Sequence, residues 1–153
     1  MKRLFLYTLL SLSLLAFKAQ AVVTGEMIMI RSSEAFPEAM ALLQESISQH
    51  GYTLSRVQRV DVGLSAKGYK TDKYRVVFFG KGKQIQSLSA RYPQLVPYLP
   101  LKIAIYAEGE NTILVTSNPS VFNDMFQLPE LRPVFNQWHK DISSILKVVQ
   151  NQN

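Results

Sequence analysis

The chain has 153 residues and no cysteine, which excludes disulfides, thiolate chemistry and Cys-ligated metal sites. Its formal net charge is +6, but Lys2, Arg3 and Lys18 lie in the first 21 residues. The remainder carries 14 basic and 11 acidic residues, a balance of +3. So small a charge, without runs of Lys or Arg interleaved with aromatics, gives no electrostatic basis for nucleic-acid binding.

The first 21 residues have the layout of a secretory signal peptide. Lys2 and Arg3 form a positive start, a mostly apolar run follows, and Ala19 and Ala21 supply the small residues that a signal peptidase reads. The run is shorter than the roughly 20 residues of a membrane-spanning helix; an uncleaved anchor is the alternative. We expect cleavage after Ala21, a single domain over 22–153 with no stable membrane insertion, and export, to the periplasm or the exterior in a bacterium.

The first half of the mature chain predicts strands and helices in turn. Residues 22–30 predict a strand whose apolar end is dense enough to be buried on both faces. Ser32 or Ser33 is expected to cap a helix that ends at Gly51. The apolar side chains of that helix share one face: Phe36, Ala39, Met40, Leu43 and Ile47.

Residues 52–57 predict a second strand, and 60–67 a short helix. A contiguous apolar run within 74–79 predicts a central strand buried on both faces. A short helix is expected over 84–92.

The C-terminal third predicts a hairpin and a long helix. Strands over 101–107 and 112–117 flank a turn, and Asn118 is expected to cap a short helix. The long helix covers 129–149, with one apolar face made of Leu131, Val134, Phe135, Trp138, Ile142, Ile145, Leu146 and Val149. We expect this face to pack on the sheet of the same chain; docking on a second subunit is the alternative.

Consecutive strands with few intervening helices favour an α+β fold, in which a mainly antiparallel sheet has its helices against one face.

Several short segments, taken in order, resemble a known family. They are a helix that ends near Gly51, Val60-Asp61-Val62 in a short helix that ends at Gly68, Val76-Val77-Phe78-Phe79-Gly80, Leu99-Pro100-Leu101-Lys102-Ile103, and Ser117-Asn118-Pro119. In this order and spacing they resemble the family named domain of unknown function 302, over about residues 33–126. The resemblance implies a β-α-β(4)-α arrangement and is compatible with a homodimer. It supplies no reaction, because the family has no established biochemical role.

The chain departs from the family at two places. Lys81 follows Gly80 where the family usually continues with Asn-Pro, and Val62 stands beside Asp61 where the family often carries a histidine. No role of that histidine can therefore be transferred to this chain.

A glycine- and lysine-rich turn after the strand over 74–79 is a candidate anion site. Gly80, Lys81, Gly82 and Lys83 lead into a helix, where free backbone N–H groups and two ammonium groups would attract an anion. The segment lacks the Walker pattern. A solvated turn, with lysines that serve solubility, is the alternative interpretation.

Other chemistry-bearing residues give no recognisable site. His50 and His139 are far apart in sequence, and with no cysteine they predict no metal site. No serine lies in a nucleophile motif. No cofactor is indicated.

The aromatic residues admit two interpretations. They fill the core, or some of them line a cavity between the sheet and the long helix. The candidate lining residues are Tyr98, Tyr106, Phe135 and Trp138.

Two functions from different classes remain open. The first is an exported small binding domain that takes up an apolar or amphipathic ligand, or a protein partner, without chemistry. The second is a hydrolase or other enzyme whose polar site is assembled only in the fold. A pocket with two titratable side chains in hydrogen-bond reach would favour the enzyme, and a largely apolar pocket the binding domain.

Overall fold

The computed structural model describes residues 22–151, with side chains from residue 25 onward. The expected signal peptide lies outside the described residues.

Six strands form one antiparallel sheet in the described part of the chain. They are β1 (Val22–Thr24), β2 (Met27–Ser32), β3 (Thr53–Arg59), β4 (Tyr74–Gly80), β5 (Leu101–Glu108) and β6 (Asn111–Ser117). Their spatial order is β1-β2-β6-β5-β4-β3, and every neighbouring pair is antiparallel. From β2 onward, the order of the strands with the first and last helices is β-α-β(4)-α, so the α+β prediction is confirmed.

The helices are α1 (Phe36–Gln49), α2 (Val60–Ser65), α3 (Gly82–Arg91), α4 (Phe122–Phe126) and α5 (Arg132–Gln150). Short 3-10 turns cover Pro93–Tyr98, Pro119–Val121 and Pro129–Leu131. Gly51 follows α1 with φ +73°, the left-handed conformation expected of a glycine after a helix. Asn118 accepts a hydrogen bond from the backbone N–H of Ser120 at 3.1 Å and caps the second 3-10 turn, as predicted.

The long C-terminal helix packs within the chain, as expected. α5 lies against α1 and β2, and its predicted apolar face is buried apart from Val134, which is half-buried. Two buried serines form hydrogen bonds to the backbone of α5. Ser32 Oγ donates to the carbonyl of Val149 at 2.8 Å, and Ser46 Oγ donates to the carbonyl of Ile145 at 3.4 Å.

The prediction of one strand over 22–30, buried on both faces, is wrong. Gly25 and Glu26 form a turn that divides the segment into β1 and β2. Side chains of β2 alternate between buried and exposed, so Met27 and Met29 lie outside the core. An uninterrupted apolar run does not show which of its members face the core.

Two further expectations need correction. Neither Ser32 nor Ser33 caps α1: its N-cap residue is Ala35, and β2 continues to Ser32, whose hydroxyl is committed to α5. Strand β4 is paired on both sides, but only Val77 and Phe79 are fully buried within its apolar run. Val76 and Phe78 are half-buried because they point away from the helices.

Candidate ligand-binding site

The two faces of the sheet differ in what covers them. In β2, Ile28 and Ile30 belong to the hydrophobic core, while Met27 and Met29 point the opposite way and are 40% and 38% exposed. We call this second side the open face. On β2, β6, β5 and β4 it carries Met27, Met29, Arg31, Ile113, Val115, Ser117, Lys102, Ala104, Tyr106, Tyr74, Val76 and Phe78. None of these described side chains is part of the core cluster.

An apolar strip crosses the middle of the open face. Met29 is paired with Val115, Val115 with Ala104, and Ala104 with Val76. Four apolar side chains from four adjacent strands therefore form one row, and the last three are only half-buried. Antiparallel sheets commonly leave one face to solvent, but that face is then usually polar. An apolar row there has no role in packing the core.

The smallest member of the strip creates a depression. Ala104 has larger neighbours on both sides, and on β5 it is followed two residues later by Tyr106, whose ring meets that of Tyr74 edge-to-face at 6.4 Å. The resulting open pocket has a volume of about 440 Å³. It is lined by Thr71, Asp72, Lys73, Tyr74, Ala104, Tyr106, Ala107 and Val115.

One edge of the open face is closed by an ion pair. The Arg31 guanidinium on β2 donates to Glu108 Oε2 on β5. Ile113 on the intervening strand is the register partner of Arg31 and is only 2% exposed. The pair therefore spans β6 and shields Ile113, which leaves the strip centred on Ala104 as the accessible apolar part.

The opposite edge of the open face is positively charged. Lys102 precedes Ala104 by two residues on β5 and is paired with Phe78, which in turn is paired with Arg56 on β3. Lys102 and Arg56 are both exposed. Arg56 donates to the neutral side chain of Gln58, and among the described residues neither cation forms a salt bridge.

A second ion pair lies on the other side of the sheet. Arg75 donates to Asp61 Oδ1, and both side chains are largely shielded, at 15% and 13% exposure. The guanidinium also lies 5.7 Å from the centre of the Phe36 ring. The hydrogen bond from Arg75 holds the pKa of Asp61 below its usual value. Because both charges are committed to each other, this pair is a structural contact between α2 and β4.

Metal ligation and membrane spanning have no support in the described range. Residues 25–151 contain no group of three His, Asp or Glu side chains placed to hold a metal ion. No helix between residues 22 and 151 combines the length and the apolar content needed to cross a bilayer.

Comparison with known proteins identifies the family. A family model described as "Domain of unknown function DUF302" matches residues 28–149. The chain belongs to the DUF302 family. No curated protein matches it.

A solved structure shares the fold of this DUF302 chain. It is described as the crystal structure of an uncharacterized conserved protein DUF302 from Bacillus stearothermophilus, and it superposes with a TM-score of 0.72. The match covers 80% of this chain and 97% of the other, at 18% sequence identity. At that identity the likeness concerns the fold alone.

The glycine- and lysine-rich turn predicted as an anion site connects β4 to α3 in this DUF302 chain. Gly80 ends β4, Lys81 is the N-cap residue of α3, and the ammonium of Lys81 lies 4.5 Å from the centre of the Tyr52 ring. A Cβ at Gly80 would overlap Ile85 Cδ1, so a larger residue there would require the Ile85 side chain to move. Gly82 and Lys83 are exposed in the first turn of α3. Anion binding here stays a prediction.

The four aromatic residues predicted to line a cavity do not lie together. Phe135 and Trp138 are buried, with ring centres 5.7 Å apart. Tyr98 meets Phe122 at 5.0 Å and packs against the same core. Tyr106 lies on the open face and lines the pocket there. Of the two interpretations, core filling describes Phe135, Trp138 and Tyr98, and Tyr106 is the member of this set that lines a pocket.

Sequence reasoning missed the residues that form the open face of this DUF302 chain, Ala104 above all. A signal was present, because residues 102–106 alternate Lys-Ile-Ala-Ile-Tyr. That alternation places a lysine, an alanine and a tyrosine on one side of β5. Only the pairing with β6 and β4 shows that their neighbours there are apolar too.

Proposed function

We propose that this chain is an exported small binding domain that takes up an apolar or amphipathic ligand on its open face and performs no chemistry. The observation that carries the proposal is the apolar strip Met29, Val115, Ala104 and Val76, with its pocket at Ala104, on a face outside the core. Small-molecule sites are concave and mostly apolar with a few polar groups, and this pocket has that composition.

The size of the strip supports a small ligand over a second subunit. Four strands at about 4.8 Å spacing and one row of side chains give an apolar patch of roughly 100–150 Å². Each partner of a standard protein–protein interface contributes about 800 Å². A patch of that size falls well short of a stable homodimer, which is the alternative occupant.

The pocket lining supports binding over catalysis. Its titratable side chains are Asp72, Lys73, Tyr74 and Tyr106. Among the described hydrogen bonds, none joins two of these four groups. A general acid or base works through a partner within hydrogen-bond reach, so the lining holds no preformed pair of this kind.

The test is binding of a neutral apolar probe to a variant with the pocket filled. We expect isothermal titration to detect decanol binding to the mature protein, and Ala104→Leu to weaken it at least tenfold, because the added side chain occupies the depression. Ala41→Leu, the same change at an exposed position of α1, is the matched control and should bind decanol as the unaltered protein does. Equal binding by the Ala104 variant and the control would place the site elsewhere.

Export is tested separately. N-terminal sequencing of protein recovered from the cell envelope should begin at Val22. Recovery of Met1 from that fraction would contradict cleavage. Native mass spectrometry of the same preparation would reveal a retained ligand.

A further inference from the structure

We propose that the ligand of the open face is a free single-chain anionic amphiphile, whose head group lies at Lys102 and whose alkyl chain follows β5 over Ala104 to Tyr106. This inference rests on the proposed function, because it names the class of molecule that the same site takes. The chemistry is an alkyl chain that ends in a carboxylate or a similar anionic group.

The distribution of charge selects the sign of the head group. Lys102 and Arg56 flank Phe78 at one edge of the open face, and no described salt bridge neutralises either cation. Glu108 lies at the opposite edge of the open face, and Arg31 already pairs with it. At the far end, Asp72 and Lys73 both line the pocket, but no described salt bridge joins them, and the Lys73 ammonium lies 5.9 Å from the centre of the Phe36 ring. The open face is therefore apolar in the middle and positive at one end, which is complementary to an anionic amphiphile.

The dimensions select a single chain of medium length. Lys102 and Tyr106 are separated by four residues of an antiparallel strand, a span of about 14 Å. Along that span the side chains facing outward are a lysine, an alanine and a tyrosine, so the path is lowest at Ala104. Val115 and Val76 bound it on strands that lie about 10 Å apart, two strand spacings. One alkyl chain fits between Val115 and Val76, whereas the second chain of a two-chain lipid would have to lie across one of these side chains.

The anchoring lysine suits this task. Lys102 is exposed and is paired with the half-buried Phe78, so its methylene stem can lie on apolar surface while the ammonium meets the head group. The contribution of one solvent-accessible ion pair is modest and is screened by salt. The binding affinity then comes mainly from the alkyl chain of the ligand, and the preference among head groups comes from Lys102.

The experiment compares three probes that share one tail. Isothermal titration of the mature protein with decanoate, decanol and decyltrimethylammonium, each below its micellar concentration, should rank decanoate first by about fivefold over decanol at low salt. The cationic probe should bind weakest. Lys102→Met should abolish the advantage of decanoate while leaving decanol binding unchanged. Lys140→Met, on an exposed part of α5, is the matched control and should keep the ranking.

Each outcome has a separate meaning. Equal affinity for decanoate and decanol, preference for the cationic probe, or a ranking that survives Lys102→Met would overturn the anionic head group and leave the binding function standing. Binding to vesicles of a two-chain anionic phospholipid without binding of decanoate would overturn the free ligand in favour of a membrane surface. Failure of all three probes to bind would overturn the binding function itself.

Discussion

The phenolic hydroxyl of Tyr52 donates a hydrogen bond to Asp141 Oδ2 at 2.8 Å, and this bond joins the approach to β3 with the middle of α5. Tyr52 is 5% exposed and its ring meets that of Phe79 edge-to-face at 5.4 Å. Gln137 donates to the other oxygen of the same carboxylate at 2.7 Å. A buried tyrosine thus links the core of the sheet to a partly exposed acidic group on the helix that covers it.

Replacing Tyr52 with Phe should lower the free energy of unfolding by about 1–2 kcal/mol at neutral pH, because a hydrogen bond to a charged acceptor is lost. Burial, followed by the hydrogen bond and the charge of Asp141, raises the pKa of Tyr52. In the unfolded chain tyrosine ionises near pH 10. The stabilising contribution is therefore complete below that pH and is lost as the pH rises above it.

Urea unfolding at neutral pH and at about pH 10.5 measures this effect. The difference in the free energy of unfolding between the unaltered protein and Tyr52→Phe should be smaller at the higher pH. Tyr69→Phe is the control, since Tyr69 is 63% exposed, and it should leave stability unchanged at both values. A difference in unfolding free energy that stays constant with pH would contradict the role given to the Tyr52–Asp141 hydrogen bond.

The Asp61–Arg75 pair predicts the opposite dependence on pH. Because Arg75 holds the pKa of Asp61 below its usual value, the stabilisation is complete above the unfolded pKa of about 3.9 and is lost as the pH falls through the folded one. Asp61→Asn should lower the free energy of unfolding at neutral pH. In acid, the unfolding free energies of this variant and of the unaltered protein should become more similar. Asp124→Asn, an exposed position, serves as the comparison. Denaturant melts showing no narrowing would refute the role of Arg75.

The two faces of β4 should respond differently to truncation. Phe79→Ala removes a fully buried ring and should cost about 3–5 kcal/mol. Val76→Ala, on the open face of the same strand, should cost less than about 1 kcal/mol, because no core forms there. Urea melts of both variants measure the contrast. Similar losses would mean that the open face is packed in solution.

Trp138 reports on whether α5 packs within the chain. It is 3% exposed, and its indole N–H donates to Gln84 Oε1 at 3.1 Å. As Trp138 is the only tryptophan, its emission should be blue-shifted and should not change on dilution to low nanomolar concentration. A red shift that follows dissociation into monomers would show instead that a second subunit covers the helix.

The parts of the fold that could be predicted are those specified by the spacing of apolar and turn residues along the sequence. The apolar residues of α5 recur at three- and four-residue steps, and the turn at Gly109 lies between two runs rich in β-branched residues, so neighbours along the chain specify both elements. The prediction for residues 22–30 was wrong because it relied on the local pattern alone. The apolar run there contains no local sign of which side faces the core, and pairing with β6 decides that Ile28 turns inward and Met29 outward.

The candidate site could not be predicted because it depends on register between distant strands. Met29, Val115, Ala104 and Val76 come from four strands and meet only through the pairings of β2, β6, β5 and β4. Alanine in a strand carries no signal of its own. Its importance arises from the size of the neighbours that the sheet brings beside it.

The position of β2 has a consequence for when the domain can assemble. Ile30, near the start of the fold, is paired with Leu114, and most of the domain lies between them. The strand therefore lacks its inner neighbour until nearly the whole chain has been synthesised. Such non-local pairing slows folding, so we expect the nascent chain to remain unstructured while it is being made. If the chain is exported as proposed, such late folding would keep it extended during its passage through a secretion channel.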